Sequence, residues 1–164
     1  MEQPRRFAIL VGVNCYEHRG IQDLEFAAPD AGRVRDALQA AGYQEGDVLL
    51  LADGVPDPRY LPTRQALLEH APAWLAEKQP GPEDTVLFLF GGHGVEDAQR
   101  VDYVLPRDAD LDNLADARVL AGVLAAGHEA DRLAALADGD SLVLTKLVEA
   151  RAKGRECSCA LGGC

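Results

Sequence analysis

The sequence predicts an α/β domain, a three-layer α/β/α sandwich in which a mostly parallel sheet lies between helices. Three observations predict it. Residues 6–13, 47–52 and 84–90 are short, apolar, β-branched runs of the kind that fills a sheet covered on both faces. Helical patterns separate these runs, and cap and turn residues stand at the junctions. Strands that alternate with helices in this way pair in parallel through right-handed crossovers.

Taken in order, residues 6–13 (RFAILVGV) form a central strand bounded by Gly12 and Asn14. Pro29 and Asp30 open a helix with Val34, Ala37, Leu38 and Ala41 on one stripe, and Gly42 stops it. Residues 47–52 (DVLLLA) make the second strand, closed by the turn signal Asp53-Gly54. Thr63 caps a helix that carries Ala66, Leu67, His70, Trp74 and Leu75 and ends before Pro80-Gly81-Pro82. Residues 84–90 (DTVLFLF) are the strongest strand, and they run into Gly91-Gly92-His93-Gly94. A short strand follows at 102–105 (DYVL). Residues 120–137 and 141–152 are expected to be helical, the latter capped by Ser141, and the sequence from Lys153 has no periodicity. One domain over 1–152 and an irregular tail over 153–164 are expected, with the sheet incomplete on its C-terminal side. An early end to the sheet would leave 84–90 near an open edge, a route to a homodimer or to association with a related chain.

Composition narrows the function. A net charge of −11 over 164 residues argues against nucleic acid, which rewards clustered Lys and Arg. No apolar stretch is long enough to cross a bilayer, and the N-terminus is not a signal peptide, so a cytoplasmic location is expected. Cys15 stands alone, and Cys157, Cys159 and Cys164 crowd the end, which is not a secreted disulfide framework. The terminal cysteines lack a fourth zinc ligand, and His93 has no metal partner at ligand spacing, although Glu96 and Asp97 are near. No metal and no resident cofactor are expected; calcium dependence stays open.

His93 is the residue most suited to chemistry. In α/β sheets the working groups sit beyond the carboxyl ends of the strands, and His93 falls there between glycines that permit a sharp turn. Imidazole titrates near neutrality and can take a proton from a nucleophile and return it to a leaving group. Cys15 is read as a small residue packed near the strand end, and His18, His70 and His128 as surface or helix residues.

The strand with FGGHG at 90–94 resembles the strand and turn that carry the catalytic histidine of caspases, metacaspases and their prokaryotic relatives. FAILVGVNCY at 7–16 is similar to the family's first strand with its G-x-N-x-Y ending. LEFAAPDAGRVRDAL at 24–38 resembles the following helix, VLLLADG at 48–54 the second strand, TRQALLEHAPAWL at 63–75 the next helix and YVLPRDAD at 103–110 the segment after the histidine. The ordered match covers 7–113. It implies a caspase-like cysteine peptidase acting on peptide or protein substrates through a Cys–His dyad.

On that resemblance His93 is the general acid/base, the Gly94 amide an oxyanion donor, and Asp30 part of a pocket for Lys or Arg, with an ordinary helix N-terminal acid as the alternative. The family's D-x-C-x-S-G nucleophile motif is missing. Cys159 in CALGG is the nearest fit, without the preceding buried strand, and Gly91 replaces the serine that usually contributes to the substrate pocket. A catalytically inactive interaction module is therefore the first alternative. A nucleotide- or phosphate-binding domain is the second, although 12–14 carries no G-x-G-x-x-G spacing and no P-loop lysine.

Overall fold

The computed structural model describes residues 3–81, 83–96, 102–110, 134–138 and 141–149. Its five-stranded sheet runs β2-β1-β3-β7-β6, with β1 Arg6–Gly12, β2 Val48–Ala52, β3 Thr85–Gly92, β6 Ala134–Asp138 and β7 Ser141–Glu149. A separate two-stranded ribbon pairs β4 (Gly94–Glu96) with β5 (Asp102–Val104). β1 pairs in parallel with β2 and with β3, as the strand–helix alternation predicts. The α/β architecture expected from the sequence is present.

Register explains the two covering layers. Ile9 and Val11 stand level with Leu49 and Leu51 on one side and with Phe88 and Phe90 on the other. That face forms the main core with Ala66, Leu67 and Ala71 of the second helical segment. Burying each large side chain contributes roughly 1.5–3 kcal/mol. On the opposite face, helix α1 (Ala27–Ala40) packs across β1, β2 and β3. Its buried residues are Ala28 and Ala31. The expected stripe is thus displaced: Val34 and Leu38 are half-buried, and Ala37 and Ala41 lie exposed. Small residues at the start of α1 set its closest approach to the sheet. The helix ends as expected, with the Gly42 amide on the Gln39 carbonyl and the Tyr43 amide on the Leu38 carbonyl.

That approach requires Gly12. A Cβ there would lie 2.6 Å from the Ala27 carbonyl oxygen and 2.6 Å from the Ala28 Cα, both main chain. At Gly91, by contrast, a Cβ would meet Ala27 at an ordinary 3.5 Å. Gly12→Ala is expected to cost about 3 kcal/mol through overpacking, and Gly91→Ala under about 1 kcal/mol. Urea unfolding of the two variants measures the difference.

The second helical segment starts where Thr63 Oγ1 accepts from the Ala66 amide at 3.2 Å, the expected cap. It opens as a π-turn over Ala66–His70 and continues as α2, Ala71–Lys78. Pro72 has no amide to offer the preceding turn, and the backbone widens just before it. Gln79, in the left-handed region at φ 48°, ends the helix ahead of Pro80.

At the start of β3 the buried Asp84 accepts from the Arg5 amide at 2.7 Å, from the Arg5 guanidinium at 2.8 Å and from the Gly81 amide at 2.8 Å. Burial alone would push its carboxyl up. The Gly81 and Arg5 amides and the Arg5 charge outweigh this and hold it below the usual carboxylate range. A depressed folded pKa makes the contribution full above the unfolded pKa of about 3.9 and lost as pH falls through the folded value. Asp84→Asn should therefore flatten the acid limb of the stability–pH curve below about pH 4.

Two expectations fail at the C-terminal side. Of the expected helix 141–152, residues 141–149 are strand, and so is Ala134–Asp138, which starts inside the expected helix 120–137. β7 pairs antiparallel with β3, from Thr85 opposite Glu149 to Gly92 opposite Leu142, and β6 pairs antiparallel with β7. The sheet is consequently parallel over β2-β1-β3 and antiparallel beyond. β3 is not at an open edge, because β1 and β7 take its two sides. A run such as SLVLTKLVE satisfies both periodicities in part; its β-branched Val143, Thr145 and Val148 suit a strand once β3 offers a partner. Residues 120–133, 150–152 and the tail 153–164 lie outside the described residues. Among the described residues no helix is long and apolar enough to cross a membrane.

Candidate functional site

β3 delivers its last residues, Gly91 and Gly92, to the carboxyl end of the parallel strands, and His93 follows at once. Leu105 donates its amide to the His93 carbonyl at 2.9 Å, which joins the histidine to the β4–β5 ribbon. This bond makes Gly94–Val104 a non-hydrogen-bonded pair of the ribbon, so the Gly94 amide points away from β5. Gly94 is exposed.

The half-buried His93 ring is fixed through a contact that the sequence does not reveal. Its Nε2 lies 2.7 Å from the Gln22 main-chain oxygen. A carbonyl can only accept, so Nε2 carries the proton and Nδ1 is the ring's basic nitrogen. The His93 amide donates to the Tyr16 phenol at 2.7 Å, and the two rings stand 5.1 Å apart. Burial pushes the Tyr16 phenol well above its ordinary range. The His93 amide opposes that shift, and the Asp53 and Asp23 carboxylates add to it.

Both contacts come from the loop between β1 and α1, which the half-buried Asn14 and the Asp53 carboxylate hold in place. Asn14 Oδ1 accepts from the Ala28 amide at 2.8 Å, and its Nδ2 donates to the Glu25 carbonyl at 2.9 Å. Asp53, at the end of β2, accepts through Oδ2 from the amides of Asn14 and Cys15 at 2.7 and 2.8 Å. Its Oδ1 accepts from Arg107, which also reaches Glu17 at 3.3 Å. In the sequence Asn14 and Tyr16 stand out only as parts of a motif, Asp53 as a turn signal and Arg107 as one position in a segment. Gln22 and Asp23 gave no signal, since a carbonyl or a loop-closing carboxylate can come from almost any residue.

The other predicted residues separate. Asp30 lies in the first turn of α1, exposed, with its Oδ1 2.7 Å from Arg33. Gly91 is buried against Ala27. Cys15 is exposed rather than packed, because β1 stops at Gly12 and the half-buried Asn14 takes the inward position. Partial desolvation pushes the Cys15 thiol up, Asp53 and Asp23 push it further, and Arg107 acts against them. A thiol held protonated in this way is a poor nucleophile. His18 accepts the Gly20 amide through Nδ1 at 3.0 Å, and His70 sits beside Tyr60. Cys157, Cys159, Cys164, His128 and Asp97 lie outside the described residues, as does the side chain of Glu96. Among the described residues no His, Cys, Asp and Glu cluster could hold a metal ion. A cleft of about 810 Å³ along β2, lined by Val48, Leu50, Tyr60 and Trp74, contains none of the predicted site residues.

A family model described as Caspase domain matches residues 5–126. Metacaspase-1 of Mycosarcoma maydis is 36% identical over 93 residues, covering 56% of this chain and 22% of that protein. Metacaspase-1 of Sclerotinia sclerotiorum is 35% identical over 91 residues, 55% of this chain and 20% of its own length. The Yarrowia lipolytica protein of the same name is 42% identical over 60 residues, 37% of this chain and 13% of its own. The chain spans about a fifth of the length of the first two relatives.

Proposed function

Because the chain belongs to the caspase-domain family of cysteine peptidases, we propose that it is an endopeptidase domain in which His93 moves protons for a cysteine thiolate. The observation that carries this reading is the 2.7 Å contact of His93 Nε2 with the Gln22 carbonyl, which leaves Nδ1 as the base.

Nδ1 takes the thiol proton, and the sulfur attacks the scissile carbonyl carbon. The resulting oxyanion takes the outward-pointing Gly94 amide as a donor. Collapse breaks the C–N bond, and the leaving amine receives the proton from His93. Water then hydrolyses the thioester and restores the thiol. Cys159 is the sulfur assigned to this role. Asp30 is the carboxylate assigned to a Lys or Arg side chain of the substrate; its exposed pair with Arg33 is worth little in water and exchanges readily.

The test is turnover of a fluorogenic peptide ending in Arg, with and without iodoacetamide, followed by mass mapping of the alkylated cysteine. Turnover that disappears as Cys159 is modified supports the proposal. Turnover that survives complete alkylation of Cys159 removes that residue from the mechanism. A second reading, a non-catalytic interaction module, is favoured by one observation: β7, the strand beside β3, contains no cysteine. An intact fold with no turnover of any peptide supports it. The phosphate-binding alternative loses ground because Asn14 already caps the start of α1, where a phosphate would sit.

A further inference from the structure

Two contacts reach His93 from one loop, and a single carboxylate ties their sources together. The Tyr16 phenol takes the His93 main-chain amide, and the Gln22 carbonyl takes its ring Nε2, each at 2.7 Å. Between these anchors the chain folds back on itself. Asp23 Oδ1 accepts from the Tyr16 amide at 2.8 Å. The Leu24 amide donates to the Asn14 carbonyl at 2.7 Å, and the Ile21 amide to the His18 carbonyl at 3.0 Å.

Asp23 thus joins the residue that holds the histidine backbone to the peptide that holds its ring. Tyr16 and Ile21 also pack against Leu105 and Ala109, which docks the loop on the segment after β5. The approach of the phenol depends on Gly92, where a Cβ would lie 3.0 Å from the Tyr16 oxygen and 2.8 Å from the Phe90 ring.

We propose that Tyr16 and Asp23 are positioning residues, a clamp that sets both the rotation and the tautomer of the His93 ring. The catalytic part of this proposal rests on the peptidase reading; the tautomer part does not. Without the phenol, the His93 amide loses its acceptor and the turn at 92–94 relaxes. Without the Asp23 carboxylate, the Gln22 carbonyl is no longer held at the ring. In either case Nε2–H loses its fixed partner, and the two neutral tautomers come closer in population.

The test uses 15N-labelled full chain and long-range proton–nitrogen spectra of the imidazoles, beside steady-state kinetics. The unaltered protein should show His93 predominantly as the Nε2–H form. Tyr16→Phe and Asp23→Asn should each raise the other tautomer several-fold. They should also lower kcat about tenfold, with KM within about twofold, the split expected when proton transfer rather than binding is disturbed. Asp23→Glu should restore most of both, a rescue that a purely structural role would not give. Tyr60→Phe, whose phenol neighbours His70 instead, is the matched control.

An unchanged His93 spectrum in folded Tyr16→Phe and Asp23→Asn overturns the clamp. Should Tyr16→Phe fail to fold, Asp23→Asn alone decides. If no variant turns over peptide but the tautomer shifts as stated, the peptidase reading falls and the clamp stands.

Discussion

His93→Ala is expected to lower kcat/KM for an Arg-terminated peptide about 10³-fold, because general acid–base catalysis contributes roughly 10²–10⁴. Stability should change by only about 1 kcal/mol. The imbalance follows from where the residue stands. His93 lies just past the end of β3, half-buried, and is not among the buried residues of the main core. The ring's hydrogen bond to the Gln22 carbonyl and its contact with Tyr16 leave with it. What disappears with them is the group able to take the thiol proton at Nδ1 and deliver it to the leaving amine. Kinetics combined with urea unfolding separates the two quantities. A variant that loses activity only in proportion to its unfolded fraction would reduce His93 to a structural residue.

Asp53→Ala is expected to cost about 3 kcal/mol of stability, as much as Gly12→Ala. The Asp53 side chain is 7% exposed and satisfies two main-chain amides, Asn14 and Cys15, besides pairing with Arg107. Removing one partner of a buried ion pair costs roughly 3–5 kcal/mol. The lower end applies, because Arg107 is 28% exposed and keeps Glu17 as a partner. Asp53→Asn retains an acceptor but loses the charge, and should fall about halfway. Because Asn14 and Cys15 begin the loop that reaches His93, the alanine variant should also lose turnover beyond what its unfolded fraction explains. Denaturation midpoints and activity at a temperature where both proteins are folded measure the two effects.

The local signals in the chain were strong where structure follows from neighbours. The run of buried residues from Phe7 to Val11 needed only its unbroken apolar character to be read as a central strand. Thr63, Gly42 and the Asp53-Gly54 turn marked ends that the backbone respects. His93 was legible because glycines on both sides of a histidine, after a buried strand, serve packing poorly. SLVLTKLVE reads as a helix because its apolar positions suit either period, and what decides between them is the vacant side of β3, fifty or more residues away. Cys15 was misplaced by a single position: Asn14, not Cys15, turns inward to cap α1.

By itself, then, the sequence determined the order of strands and helices as far as β5 and the location of the imidazole, since periodicity, capping and glycine context act between residues close in the chain. Only the tertiary structure decided what orients that imidazole. The Gln22 carbonyl and the Tyr16 phenol stand 71 and 77 positions from His93, and the Arg107–Asp53 pair joins segments 54 apart. Main-chain carbonyls and loop carboxylates carry no identity of their own. They become specific partners only when the parallel pairing of β1 with β3 brings the ends of both strands to one side of the sheet.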